Sequence, residues 1–455
     1  MKKLEKRSIF CMILAVLLLL SGGIFTYRFV TKGGTWASFP SNRHLYNNGI
    51  LASGQILDRN GTILSSTTED GTRIYHKDKT IRLATLHAVG DSAGRIGTGA
   101  QTFFASKLSG YNILTGAHPI GGSRNLFLTI DADVCAAAYK ALNGKKGTVG
   151  VYNYKTGDII CMVSSPTFDP KNPPEIEDGD ETYEGVYLNR LLSSVFPPGS
   201  IFKLVTTAAA IETMDDLYDQ TFQCNGRFQI GDTTITCSKA HGTLSIQDAL
   251  AVSCNCTYGQ LALELGADTL NHYVKKTGLT SSLSIDGIHT ATSTFSFSGS
   301  DAGSLAWGGI GQGKDLINPC AMMVYVGAIA NGGRAQLPHI LSKLTTAHGL
   351  SVGSYSSGST GQLISQQTAA QLTEMMRNNV VTNYGANNFP NLNICAKSGT
   401  AETGNGNKPH AWFTGFLRDD EHPYAFIVLV ENGGSGSAVA GKVANTVLQA
   451  AVRAN

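Results

Sequence analysis

A marked excess of charge of either sign is missing from this sequence. Its 455 residues carry 35 Lys and Arg against 33 Asp and Glu, a formal net charge of +2, and the cations are scattered. That excludes the basic face on which nucleic-acid binding rests. Internal repeats are absent, and so is a Gly-x-Gly-x-x-Gly turn joining a strand to a helix. A second apolar run long enough to cross a bilayer is absent as well. Solenoids, dinucleotide-binding domains and polytopic membrane proteins are thereby set aside.

One apolar run is present. Lys2, Lys3, Lys6 and Arg7 precede a stretch from Ile9 to about Tyr27, and about 19 such residues cross a bilayer core as a helix. The basic flank places the N-terminus in the cytoplasm and exports the rest. Ser21-Gly22-Gly23 offers the small residues of a cleaved signal peptide, but no A-x-A site follows, so a retained single-pass anchor is expected.

Nine cysteines accompany this anchor. Cys11 lies within it, and the other eight face an oxidising compartment. Cys224 and Cys237 bracket a short Gly-containing hairpin and form a possible disulfide, although sequence does not fix pairing. Zinc held by Cys224, Cys237 and His241 is a lesser reading, because the spacing matches no standard finger; no metal is assigned. Cys135, Cys161, Cys320 and Cys395 fall in apolar runs and read as core thiols.

The stretch GQILDRNGTIL at 54–64 predicts two short strands about an Asn60-Gly61 turn. From Leu126 the periodicities tighten. Strands are expected at LFLTID (126–131), 147–152 and 158–164, with helices at 132–142, 200–214, 246–265 with breaks, 319–330 and 366–380. Residues 281–300 read as irregular. Strands at 394–401, 411–417 and 425–431 and a closing helix at 438–452 complete an α+β pattern around an antiparallel sheet.

Three short motifs carry chemistry. Ser200 and Lys203 stand i, i+3 on a predicted helix, so hydroxyl and amine share a face. A serine needs a base, and burial lets lysine serve as one. Lys203 sits among Ile201, Phe202, Leu204 and Val205 rather than on a polar face. A helix start at Ser200 adds N–H groups where an oxyanion forms. Ser253-Cys254-Asn255, read as an extended loop, aims a proton-relaying hydroxyl and an amide the same way. Lys397-Ser398-Gly399-Thr400 lies on a predicted strand, supplying charge and hydroxyls for a carboxylate, with Gly399 opening the strand edge to a peptide.

Each motif alone is weak, but the order S-x-x-K, S-x-N, K-[ST]-G resembles the signature of penicillin-binding proteins and serine β-lactamases. From Leu126 onward the chain resembles a class B penicillin-binding protein transpeptidase domain. LFLTID, GTVGVYNYKTGDIICMVSSPTFDP, NRLLSSVFPPGSIFKLVTTAAAIE, His241-Gly242, GGIGQG at Gly308–Gly313 and AKSGTAET followed by HAWFTGF carry that likeness. The 54–64 stretch resembles the start of the family's membrane-proximal pedestal. Ser398 stands where Thr is commoner, Tyr154 replaces a usual Pro, and Cys254 has no catalytic assignment. The Gly308–Gly313 stretch reads as a close-packed loop before a helix.

The resemblance implies a five-stranded antiparallel sheet flanked by helices, a small β-rich pedestal and one transmembrane helix. The divisions expected are 1–32 (tip and anchor), 33–125 (pedestal) and 126–455 (transpeptidase). It implies that Ser200 attacks the penultimate D-Ala carbonyl of a peptidoglycan stem peptide while Lys203 takes its proton. Ser253 and Asn255 assist, backbone N–H groups of Ser200 and Thr400 form the oxyanion hole, and Lys397, Ser398, Gly399 and Thr400 receive the substrate. β-Lactams acylate the same serine, no cofactor is needed, and a polytopic membrane glycan polymerase is the implied partner. Among rivals, a β-lactamase lacks a recognisable deacylating Glu, the pedestal argues against a D,D-carboxypeptidase, and intact motifs argue against a non-catalytic scaffold.

Overall fold

The computed structural model describes residues 2–37, 54–68, 72–109, 124–177, 179–404 and 406–454. The N-terminal helix Lys2–Ala37 contains the apolar span Leu4–Gly33, which is exposed from Leu4 to Lys32. At 1.5 Å per residue its 30 residues reach about 45 Å, more than the roughly 30 Å hydrocarbon core of a bilayer.

The central sheet has five antiparallel strands. From edge to edge they are Ile394–Ala401, His410–Leu417, Tyr424–Val430, Gly147–Asn153 and Ile159–Ser165. Two of the three interior strands, His410–Leu417 and Tyr424–Val430, are buried at every residue, because helices cover the sheet. Gly441–Arg453 buries Val443, Ala444, Val447, Leu448 and Ala451, one face of a helical repeat, and packs on Ala132–Leu142. Pro319–Ala330 lies against the Tyr152 ring, and a Cβ at Gly327 would fall 2.0 Å from the Tyr152 hydroxyl. The helices Ala132–Leu142 and Pro319–Ala330 and the strand Ile394–Ala401 coincide end to end with the sequence expectation.

A second sheet runs Ser351–Ser354, Leu341–Thr346, Arg124–Leu128, Gln55–Leu57, Ile63–Thr67, Arg73–Tyr75. The expected hairpin turns at Gly61, where φ is +85°. Asn60 donates to the Asp131 carboxylate at 2.7 Å, and Asp131 caps the helix that follows it. The expected division at 125/126 therefore passes through a continuous sheet. Of the expected pedestal, 38–53, 69–71 and 110–123 lie outside the described residues.

One helix, Ala302–Ile310, falls where only a glycine-bearing stretch was evident. Gly303, Gly308 and Gly309 depress its local propensity. Packing overrides that, since a Cβ at Gly309 would lie 2.2 Å from the Ala262 Cβ. Gly308 and Gly309 are thus helical, and the loop begins only at the Gly311 cap.

Candidate active site

The three motifs converge on a cleft of about 410 Å³ whose walls include Ser200, Ser253, Asn255, Ser398 and Thr400. Proline at 197 and 198 bars a helix upstream, and Gly199 turns the chain with φ +54°. A single 3₁₀ turn, Gly199–Ile201, then leads into the helix Lys203–Thr213. Ser200 therefore stands in the turn before the α-helix rather than on its first regular turn. Two long-range bonds hold that turn: Gly199 N–H donates to the Gly311 carbonyl at 2.8 Å, and Trp412 Nε1 donates to the Pro197 carbonyl at 2.9 Å.

Lys203 is fully buried. Its Nζ donates to the Ser253 carbonyl (2.7 Å), to Ser253 Oγ (3.3 Å) and to Asn255 Oδ1 (2.8 Å), and it lies 5.2 Å from the Tyr258 ring centroid. Removal from water disfavours the ammonium and pulls its pKa down to about 7. Lys397, equally buried, donates to the same Ser253 Oγ at 3.0 Å and to the Ser398 carbonyl at 2.9 Å. Burial, and then the charge of Lys203, push the Lys397 pKa well below the ordinary lysine range. Ser253 Oγ thus bridges two ammonium groups that do not readily hold full charge together.

The Ser253-Cys254-Asn255 segment is not an extended loop. Ser253 is left-handed (φ +56°), Cys254 caps the helix Asn255–Lys276, and Asn255 is its first residue. The chain reverses there because the preceding helix stops at Ala251 and the next starts four residues later. Asn255 Nδ2 donates to the Thr236 carbonyl at 2.8 Å, which fixes the oxygen toward Lys203.

Lys397–Thr400 lies on the edge strand, as expected. Lys397 and Gly399 point inward, whereas Ser398 and Thr400 line the cleft. Gly399 has a reason other than opening the edge: a Cβ there would meet Ile201 Cγ2 at 3.0 Å and Trp412 Cβ at 3.1 Å. The residue lets the serine turn seat on the strand. A Cβ at Gly199 would likewise fall 2.7 Å from the Thr400 carbonyl, so Ser200 and Thr400 meet at one end of the cleft.

Several supporting residues gave no sequence signal. The Tyr384 hydroxyl accepts from Ser398 N–H (2.9 Å) and bonds Ser398 Oγ (3.0 Å), fixing the edge strand. Asn318 donates to the carbonyls of Leu192 and Ser194, steadying the approach to Pro197. The possible Cys224–Cys237 disulfide is not formed in the structure, where both cysteines are free. The hairpin between them does exist, Arg227–Ile230 with Thr233–Thr236. Its geometry turns Cys237 toward Cys254 and Cys256, and Cys224 toward His241.

Residues 147–449 match the family described as the penicillin binding protein transpeptidase domain. The chain is 30% identical over 386 residues to the peptidoglycan D,D-transpeptidase PbpA of Mycolicibacterium smegmatis, covering 78% of this chain and 77% of that protein. PbpA of Mycobacterium tuberculosis is 30% identical over 385 residues, with the same coverage. The fold is similar to that of penicillin-binding protein A from M. tuberculosis in a ceftriaxone acyl-enzyme complex, with TM-score 0.78, 26% identity, and coverage of 88% of this chain and 98% of that one. It is also similar to the D,D-transpeptidase domain of a peptidoglycan glycosyltransferase from Eggerthella lenta, with TM-score 0.74 and 26% identity over 88% of this chain and 98% of that one. With a matching domain, a five-stranded sheet and three motifs gathered in one cleft, this chain belongs to the class B penicillin-binding proteins.

Proposed function

We propose that the chain is a peptidoglycan D,D-transpeptidase working through an acyl-enzyme on Ser200. The observation that carries this reading is the buried Lys203, whose Nζ donates to Ser253 Oγ and Asn255 Oδ1, side chains of two residues that line the cleft with Ser200. Neutral Lys203 takes the Ser200 proton as Oγ bonds to the penultimate D-Ala carbonyl carbon. N–H groups of Ser200 and Thr400 hold the oxyanion. Collapse breaks the C–N bond, and terminal D-Ala leaves after its amine receives the proton. Ser253, hydrogen-bonded to both lysines, is the relay for that proton. The amine of a neighbouring stem peptide then attacks the ester, restores Ser200 and leaves a cross-link.

Asn255 orients Lys203 and has a second amide N–H for the substrate backbone. The substrate carboxylate docks on Ser398, Thr400 and Lys397, and its arrival favours the charged form of Lys397. A β-lactam follows the same first step, but its leaving nitrogen stays tethered. No step requires a cofactor. The apolar helix serves as a membrane anchor with its Lys- and Arg-bearing end in the cytoplasm and the cleft outside. A polytopic glycan polymerase is the partner proposed for the region nearest the membrane, and co-purification from membranes checks it.

Fluorescent-penicillin labelling of the detergent-solubilised full chain, beside Ser200→Ala, tests the enzyme. Persistent covalent label on the parent alone is expected. An unlabelled parent with an intact thermal transition would sink the proposal.

A further inference from the structure

Along one wall of the cleft, which Cys237 and His241 help to line, lies a side-chain cluster that the acyl-transfer steps do not use. Cys224, Cys237, His241 and Cys254 bring four ligand atoms within 4.8 Å of one another. They come from four separate places: the end of the strand Phe222–Cys224, the residue after the strand Thr233–Thr236, the residue before the strand Gly242–Leu244, and the cap of the helix Asn255–Lys276. Cys254 is the middle residue of the Ser253-Cys254-Asn255 motif, which sequence spacing alone did not connect to the other three.

Two of the ligand-atom separations match a single ion. Tetrahedral zinc with Zn–S near 2.3 Å and Zn–N near 2.05 Å separates two sulfurs by about 3.8 Å, and a sulfur from a nitrogen by about 3.6 Å. Cys237 Sγ and Cys254 Sγ are 3.7 Å apart, and Cys224 Sγ and His241 Nδ1 are 3.4 Å apart. Backbone N–H groups point at two of the sulfurs. Cys237 Sγ accepts N–H bonds from Asn255 (3.1 Å) and Cys256 (3.3 Å), and Cys254 Sγ accepts one from Thr257 (3.4 Å). These donors are the first turn of the helix that starts at Asn255, whose positive end faces the sulfurs. N–H bonds to ligand sulfur are the kind of support that orients a thiolate toward a metal. Three thiols so close on the exported side also need protection from oxidation, which coordination gives.

We propose that Cys224, Cys237, His241 and Cys254 hold one structural zinc ion. It staples the Cys224–His241 region to the start of the Asn255–Lys276 helix. Through Cys254 it fixes Ser253, whose φ of +56° is costly for a non-glycine residue, and Asn255, which bonds Lys203. Cys254 is thus a positioning residue. All four ligands belong to this chain and none is left for substrate, so the ion takes no part in bond making. Cys256, 3.5 Å from Cys237, stands outside the ligand set.

The test uses the full chain in detergent, purified under reducing conditions, with zinc counted by inductively coupled plasma mass spectrometry. One zinc per chain is expected. Cys224→Ser and His241→Ala should bind zinc at least about 100-fold more weakly, whereas Cys256→Ser should keep it. Should the ligand variants not fold, cobalt exchanged into the parent must show the intense absorption of a tetrahedral thiolate site. Chelation should slow penicillin acylation and be reversed by zinc. Three results overturn the proposal: folded, reduced parent that retains no zinc when supplied with it; a Cys237–Cys254 disulfide in peptide maps of the parent; or loss of zinc from Cys256→Ser with retention in Cys224→Ser. Metal content is read independently of activity, so failure here is distinct from failure of the transpeptidase reading.

Discussion

Two lysines meet at one serine hydroxyl, and that contact decides how the site responds to pH. Lys203 must be neutral to accept a proton, and its pKa is lowered to about 7. Below that value the ammonium dominates and acylation slows; above it the neutral amine dominates and the rate levels off. Stopped-flow acylation by penicillin between pH 5.5 and 8.5 should therefore rise through a midpoint near 7. Lys203→Ala should keep its fold and lose about 10²–10⁴-fold in rate at every pH; an unaltered profile in that variant would free Lys203 of the role. Asp315 offers a second test at this scale. It is 2% exposed, Oδ1 accepts from Ser296 N–H at 3.2 Å, Oδ2 has no hydrogen-bond partner, and burial pushes its pKa up to about 7. Below about pH 4 the group is protonated in both folded and unfolded chains. Between about 4 and 7 only the unfolded chain ionises, so stability falls as pH rises, and above about 7 the full cost stands. Asp315→Asn should therefore stabilise by about 1–3 kcal/mol at pH 8 and by little at pH 4, as read by denaturant titration.

Among the secondary elements, glycine placement marks where segments touch. Gly311 and Gly313 are both left-handed, with φ near +89° and +87°. A Cβ at Gly311 would lie 2.2 Å from the Gly199 carbonyl, whereas nothing lies within 4 Å of one at Gly313. Gly313→Ala should cost about 1 kcal/mol of backbone strain and leave acylation intact. Gly311→Ala should cost more than about 2 kcal/mol and slow acylation, since it displaces the residue next to Ser200. Thermal melts and acylation rates on both variants make the comparison. Helices and strands with strong local periodicity were legible in advance. Helix Ala302–Ile310 was not, because its glycines answer to Thr233 and Ala262, residues distant in sequence. The conformation of Ser253 was not legible either, since helix starts at both Ser245 and Cys254 force the chain to reverse between them.

Across the whole molecule, the N-terminal strands and the catalytic domain are one piece of sheet. Gln55–Leu57 pairs in parallel with Arg124–Leu128, which pairs in turn with Leu341–Thr346. A second tie is the Arg82–Asp169 ion pair, 2.6 Å long, with both side chains about a tenth exposed or less. A fragment beginning at Leu126 would bare a strand edge and strand Asp169 without Arg82. It should aggregate or melt several degrees below a fragment beginning at Gly54; equal melting temperatures by calorimetry would show the two regions to be independent.

The sequence by itself determined the apolar anchor span, the α+β pattern and the motif order Ser200–Lys203, Ser253–Asn255, Lys397–Thr400, because each rests on neighbours within a few residues. Only the tertiary structure decided that Ser253 Oγ lies between Lys203 and Lys397, that Tyr384 and Trp412 hold the walls of the cleft, and that Cys254 meets Cys224, Cys237 and His241. Those contacts join residues up to 215 positions apart, as between Trp412 and Pro197. Spacing along a chain carries no record of distances that arise only when sheet and helices pack.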